Sequence, residues 1–152
     1  MREEFQAADL LFMLKKININ LEARLEKTLK QRNMSGTQVY FMVYILRKHP
    51  EGTYITEMCH EIGISKATLS VLVKKMREKG YLRFQEDPDD IRKKKVVPTE
   101  RLAEAGEEFL QEAGEMETEI FRTLNARERQ QLWKLENKIL RGLNETDKEV
   151  MV

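Results

Sequence analysis

The chain has 152 residues, 41% of them hydrophobic and 35% charged, with 27 Lys and Arg against 26 Asp and Glu for a net charge of +1. That length suffices for one domain with a core, and no apolar run, Leu10–Leu14 among them, is long enough to cross a bilayer. A single cysteine excludes an internal disulfide and suits a reducing cytoplasm, and the acidic start Met1-Arg2-Glu3-Glu4 has none of the features of a secretory signal.

A long first helix is predicted over Glu3–Arg32, where Phe5, Ala8, Leu11, Phe12, Ile19, Leu21, Leu25 and Leu29 form a broad apolar face. Leu14 and Ile17 widen it beyond what packing on one small domain requires, so a second subunit is its expected recipient. Ser35-Gly36-Thr37-Gln38 is a capping-box pattern, in which the Ser and Gln side chains bond each other's backbone N–H. It launches a helix over Thr37–Lys48 that is apolar nearly all round, with Val39, Tyr40, Phe41, Met42, Val43, Ile45 and Leu46. Such a helix is central and buried. His49-Pro50-Glu51-Gly52 ends it, and Thr53-Tyr54-Ile55 could supply a brief strand.

Ile55–Gly63 reads as a short helix capped by Thr56, with Met58, Cys59 and Ile62 inward. Ser65 caps the next helix, because its hydroxyl can accept from orphan N–H groups of the first turn. Leu69, Leu72, Val73 and Met76 form its buried stripe, Lys66, Ser70, Val71, Lys74 and Arg77 its other face, and Gly80 its left-handed end. Joined at Gly63-Ile64-Ser65, the two helices make a helix-turn-helix pattern whose second member would enter a major groove N-terminus first. Many helical proteins contain such corners. The strand and basic loop beyond Gly80 raise the signal considerably. Tyr81–Glu86 alternates as a half-buried strand, Asp87–Asp90 has turn chemistry, and Lys95–Pro98 returns as a second strand to complete a β-hairpin wing. Thr99 then caps a long helix reaching about Thr123, with Leu102, Phe109, Leu110, Met116, Ile120, Phe121 and Leu124 on one face. Asn125-Ala126-Arg127-Glu128 is another capping box. The last helix it starts holds Leu132, Trp133, Leu135, Ile139, Leu140 and Leu143, before a polar tail from Asn144 expected to fray.

Charge is distributed unevenly along this plan. Ile64–Lys95 holds ten Lys and Arg against five Asp and Glu, whereas Pro98–Leu124 holds two Arg against eight Glu. A basic stripe on one element with an acidic helix elsewhere is the pattern of a protein that presents one face to phosphates. The alternative, that these are simply solvated helices, accounts poorly for Arg92-Lys93-Lys94-Lys95 lying directly beyond a turn.

The full order of elements resembles the MarR family of winged-helix transcription regulators. Its most specific pieces are Ile64-Ser-Lys-Ala-Thr-Leu-Ser70, Glu78-Lys-Gly-Tyr-Leu82 and Asp90-Ile-Arg-Lys-Lys-Lys-Val-Val-Pro-Thr99. The resemblance implies a mainly α fold with a small β-hairpin wing, as a single MarR-like domain over residues 1–152. Residues 1–32 and 99–145 would be dimerisation helices and 34–98 the winged helix-turn-helix. It further implies a cytoplasmic homodimer on a pseudo-palindromic duplex DNA operator, usually a repressor released by a small ligand or oxidant.

For DNA, the positions implicated on the recognition helix are Ser65, Lys66, Ala67, Thr68, Ser70, Val71, Lys74 and Lys75. Ser70 and Lys66 can bond base edges or phosphate. The family pattern often has Arg where Val71 stands, so thymine-methyl contact and different base reading are expected there. Arg92 resembles the wing-tip Arg that enters the minor groove, Asp90 the acidic residue that positions it, and Lys93, Lys94 and Lys95 neutralise phosphate. As an ordinary surface ion pair, Asp90 and Arg92 would contribute little. Ser35 and Thr37 could donate to phosphate from a helix N-terminus.

A small aromatic or apolar effector is implied, with Phe12, Tyr40, Phe41, Tyr44 and His49 as candidate lining, although plain core packing explains them equally well. No cofactor or metal is expected. Cys59-His60-Glu61 are consecutive helical residues that cannot converge on an ion, and Cys59 reads as a buried structural thiol. No phosphate loop, Ser/His/Asp arrangement or paired-carboxylate site supports an enzyme, and Glu104–Glu119 read as a solvated helix face. The alternative class is a dimeric winged-helix protein-interaction or small-molecule-binding module.

Overall fold

The computed structural model describes residues 5–150, with the side chains of Ile91 and of residues 146–150 outside that description, as are Glu3 and Glu4 of the predicted first helix. Its elements are α1 (Ala7–Leu29), α2 (Gly36–Lys48), α3 (Ile55–Ile62), α4 (Lys66–Glu78), β1 (Leu82–Asp87), β2 (Asp90–Pro98), α5 (Glu100–Ile120) and α6 (Ala126–Val150). They fall into two compact units, residues 1–114 and 115–152.

In the first unit the core gathers on α2, as its all-round apolar sequence requires. Val39, Met42 and Ile45 are fully buried together with Leu29 of α1, Met58 of α3, Leu69 and Met76 of α4, and Leu102 and Phe109 of α5. Only the end of α1 joins this core. Leu29 is buried, whereas Leu10, Leu11, Phe12, Leu14 and Ile17 remain about half exposed or more. The helix stops at Leu29 rather than Arg32 because Arg32 (φ 52°) and Asn33 (φ 61°) turn into the left-handed region. That turn sets Gly36 hard against α1. A Cβ there would lie 2.1 Å from the Leu25 carbonyl oxygen and 2.5 Å from the Glu26 Cα. The Glu26 carboxylate accepts from the Gly36 N–H at 2.7 Å, placing negative charge at the positive end of α2. Beside it the expected capping box forms, with Gln38 N–H donating to Ser35 Oγ at 3.1 Å and Ser35 N–H to Gln38 Oε1 at 3.0 Å.

Further along, the N-cap position of α3 falls on Tyr54, whose side chain makes no capping bond, rather than on Thr56, which lies one residue inside the helix. On its inner face only Met58 is buried; Ile62 is exposed and Cys59 half-buried, a consequence of eight residues lying at the edge of the unit. The corner glycine, Gly63, takes φ 82° with open space around it. Ser65 caps α4 by accepting from Thr68 N–H at 3.1 Å. At the other end of α4, Tyr81 N–H donates to Met76 O at 3.0 Å and Gly80 N–H to Arg77 O at 2.9 Å, a Schellman ending. Gly80 O in turn accepts from Thr99 Oγ1 at 2.6 Å, and Thr99 N–H donates to Tyr81 O at 3.1 Å. The root of the wing is thereby closed where α4 ends and α5 begins.

The wing is longer than its residue pattern suggests. β2 starts at Asp90, not Lys95, so the basic run lies within a strand. The antiparallel register runs from Leu82↔Pro98 to Glu86↔Lys94 and then jumps to Asp87↔Asp90, leaving Ile91–Lys93 outside the ladder as a wide bulge. The expected third strand reduces to a single bridge, in which Thr53 N–H donates to Val96 O at 2.8 Å and Val96 N–H to Thr53 O at 2.6 Å.

In the second unit, the Asn125–Glu128 capping box forms with both bonds at 2.9 Å. The helix it starts continues to Val150 instead of fraying at Asn144. Trp133, Leu135, Ile139, Leu140 and Leu143 are all exposed on it.

Two glycine substitutions should separate steric from conformational cost. Gly36→Ala drives a methyl into backbone and should destabilise by about 3 kcal/mol or more, at the upper end of overpacking. Gly63→Ala meets only the left-handed φ and should cost about 1 kcal/mol. Denaturant unfolding of both variants measures the difference, and equal losses would refute the close approach of α1 and α2.

Candidate nucleic-acid interface

Burying Leu69, Val73 and Met76 fixes which side of α4 looks outward. Lys66, Ala67, Thr68, Val71, Lys74 and Lys75 are exposed along it, and Ser70 is half-buried. Val71, at 54% exposure, is an apolar side chain held in solvent at the middle of a basic surface. Ser65 and Thr68 are partly committed to capping, since the Ser65 hydroxyl also donates to Thr68 Oγ1 at 2.9 Å.

The wing comes to the same side. Lys66 from the first turn of α4 and Arg92, Lys93 and Lys94 from β2 line one cleft with Tyr54, Ile55, Thr56, Glu57 and Phe84. Phe84, inward-facing on alternating β1, is the platform between the two elements. The Arg77 guanidinium lies 4.1 Å and the Lys94 ammonium 5.5 Å from its ring centre, cation–π contacts that hold the wing against α4. The period-two pattern announces Phe84 as inward-facing, but no spacing rule could pair it with Arg77.

At the wing tip, Asp90 Oδ1 accepts from the Arg92 N–H at 3.0 Å and stands 3.6 Å from Arg92 Nε, while the Arg92 side chain is 92% exposed. Asp90 therefore orients Arg92 without covering it. Asp87 accepts from Asp89 N–H at 2.9 Å and from Tyr54 Oη at 3.3 Å, anchoring the turn to the loop before α3. Burial, then the Asp87 charge, raises the Tyr54 phenol above its ordinary range, so it stays a donor. Lys93 and Lys94 are exposed, but Lys95 is half-buried, with its stem close to Gly52 at the wing root. Ser35 is half-buried and occupied by its cap, whereas Thr37 is exposed on the first turn of α2.

The candidate effector residues separate. Phe12 is 69% exposed on the free part of α1. Tyr40 is half-buried, and Phe41 is a core residue stacked on Tyr44 with ring centres 6.1 Å apart. Tyr44 and His49 do come together, edge to face at 5.5 Å. Their shared partner is Glu61, which receives the Tyr44 hydroxyl and stands 2.5 Å from His49 Nε2. Those bonds, that of Tyr44 first, hold the Glu61 carboxyl below its usual range, and burial with the Glu61 contact raises the Tyr44 phenol well above its own. The glutamates of α5 are not all idle: Glu108 pairs with Arg32 at 2.7 Å, and Glu112 accepts from Gln31.

The sequence model of the MarR family matches residues 32–93, the span from the α1–α2 turn to the wing tip. No curated protein matches the chain in a sequence search. Among solved structures, S. aureus MepR in complex with DNA is 19% identical with a TM-score of 0.77, over 92% of this chain and 99% of that one. A MarR protein from Peptoclostridium difficile is 19% identical with a TM-score of 0.80, over 96% of this chain and 94% of that one. A mutant MarR from E. coli complexed with operator DNA is 20% identical with a TM-score of 0.75, over 86% and 93% of the two chains. At such identities the likeness is one of fold, and the family match supplies the sequence half of the argument. Residues 32–93, the helix-turn-helix and most of the wing, are similar to the sequence model of the MarR family, and the chain as a whole shares the fold of these solved MarR structures.

Proposed function

We propose that this chain is a sequence-specific regulator of transcription that binds duplex DNA in the cytoplasm as a homodimer, on a pseudo-palindromic operator. The observation that carries the reading is the shared basic face, where the exposed side of α4 and the basic strand of the wing meet in one cleft around Phe84. In this arrangement α4 enters the major groove, Lys66, Ser70 and Lys74 reach base edges or phosphates, and Val71 reads a thymine methyl. Arg92, pre-oriented by Asp90, enters the adjoining minor groove, and Lys93 and Lys94 neutralise phosphates.

Dimerisation is supported by apolar surface that the single chain leaves uncovered. Phe12, Leu14 and Ile17 of α1, and Trp133, Leu140 and Leu143 of α6, are each between 46% and 69% exposed. Exposed apolar faces of this kind mark interfaces. Among the described residues no helix is long and apolar enough to cross a membrane, so a bilayer helix does not account for them. Repression relieved by a small aromatic or apolar effector belongs to the same reading as the family's usual mode of action.

Binding of the wild type to a selected duplex should fall steeply with salt, and Arg92→Ala should weaken it at least tenfold while lowering the log–log salt slope by about 1. Unchanged affinity in Arg92→Ala, measured by fluorescence anisotropy, would remove the wing from the interface. Light scattering at about micromolar concentration should give the dimer mass, of order nanomolar to micromolar affinity being common for standard interfaces; Leu14→Glu together with Leu140→Glu should give monomer. A monomeric wild type would overturn the dimeric reading.

A further inference from the structure

The corner between α2 and α3 carries a cluster that DNA binding leaves unused. His49 caps the C-terminus of α2, and Glu57 and Glu61 stand four residues apart on one face of α3. A nitrogen of the imidazole and one oxygen from each carboxylate all lie within 4.8 Å of one another. We propose that His49, Glu57 and Glu61 are the ligands of a divalent transition-metal ion of the Zn2+ class, which ties the end of α2 to the first helix of the helix-turn-helix.

The donor set fits that ion. One imidazole with two carboxylates is a borderline-to-hard set, and three protein ligands leave a fourth tetrahedral position for water. Two ligand atoms on Zn bonds of about 2.0–2.1 Å stand roughly 3.3 Å apart in a tetrahedron. His49 Nε2 and Glu61 Oε1 stand at 2.5 Å and no two of the three ligand atoms are more than 4.8 Å apart, so the site forms by opening the first pair and bringing the ligand atoms to bonding distance through rotation of exposed glutamate side chains. The metal takes the Nε2 lone pair, and the neutral ring carries its proton on Nδ1.

The ligands are also held from behind, as metal ligands generally are. Thr53, only 2% exposed, donates from Oγ1 to Glu57 Oε2 at 2.6 Å, and Tyr44 donates to Glu61. The backbone fixes the imidazole, with His49 N–H donating to Ile45 O at 2.8 Å and Gly52 N–H to His49 O at 2.9 Å. Its side chain is 12% exposed, so one edge meets solvent and admits an ion. The adjacent Cys59 and His60 of α3 are not in the cluster, because successive helical positions diverge by about 100°.

Zn2+ titrated into the metal-free full-length protein against a chromophoric chelator tests this directly. The expected result is one Zn2+ per chain with Kd below about 10 µM, not displaced by millimolar Mg2+, with affinity lowered at least tenfold in His49→Gln, Glu57→Gln and Glu61→Gln. Cys59→Ser and His60→Gln should bind as the wild type does. Circular dichroism confirms the fold of each variant, and Glu57→Gln, on an exposed helix face, serves where His49→Gln unfolds. No stoichiometric binding, displacement by Mg2+, or loss in the Cys59 and His60 variants with retention in the three ligand variants overturns the proposal. The assay contains no DNA, so its outcome is independent of the proposed regulatory function.

Discussion

The junction of Gly80 with Thr99 is the constraint on which the basic surface of α4 and the wing depends. A helix must end, a hairpin must begin and end, and another helix must start, all within a few ångströms. Gly80 supplies the left-handed turn (φ 85°) that lets α4 stop by a Schellman ending, and its carbonyl receives the Thr99 hydroxyl. Thr99 Oγ1 also lies 3.3 Å from Leu102 N–H, so the same side chain caps α5. The wing therefore leaves and rejoins the helical body at one hydrogen-bonded point, with Tyr81 buried beneath it against Phe109. Arg77 and Lys94 on Phe84 then settle its inclination to α4.

A second fixed point is the Thr53–Val96 bridge. Its two backbone bonds join the loop before α3 to the buried strand of the wing. Thr53 is the buried polar residue among those described, and its hydroxyl is satisfied by Glu57. The corner, the wing root and the first helix of the helix-turn-helix thus meet at one residue, through its backbone on one side and its hydroxyl on the other. An event at that corner is mechanically adjacent to the basic face, since Glu57 also lines the cleft that holds Lys66 and Arg92.

Much of this is legible in the sequence because the signals are local. The capping boxes at Ser35 and Asn125, the Ser65 cap and the Gly80 ending each depend on residues within a few positions of each other, and each forms as expected. Helical periodicity likewise marks the buried faces of α2 and α4. The features that escape it are non-local or backbone-driven. The left-handed Arg32 and Asn33 shorten α1 through a turn that no glycine or proline announces. Phe84 as a cationic platform requires the strand to be laid on the helix first. Glu57 and Glu61 acquire meaning only when His49 arrives from another element, which is why Cys59-His60-Glu61, taken as neighbours, point away from an ion. The expected strand at Lys95 starts five residues earlier because a wide bulge, invisible to alternation, lets pairing resume at Asp90.

That bulge separates two properties that a plain hairpin would couple. Ladder pairing between Leu82↔Pro98 and Glu86↔Lys94 holds the wing to the body, while Ile91–Lys93 hang outside it beyond the last regular pair. Residues can be inserted or removed in such a segment at small loop-closure cost and without shifting the face each strand residue presents. The reach of the tip is therefore adjustable independently of the root. A change of length at that one spot would alter how far the tip extends while leaving the packed interior unaltered.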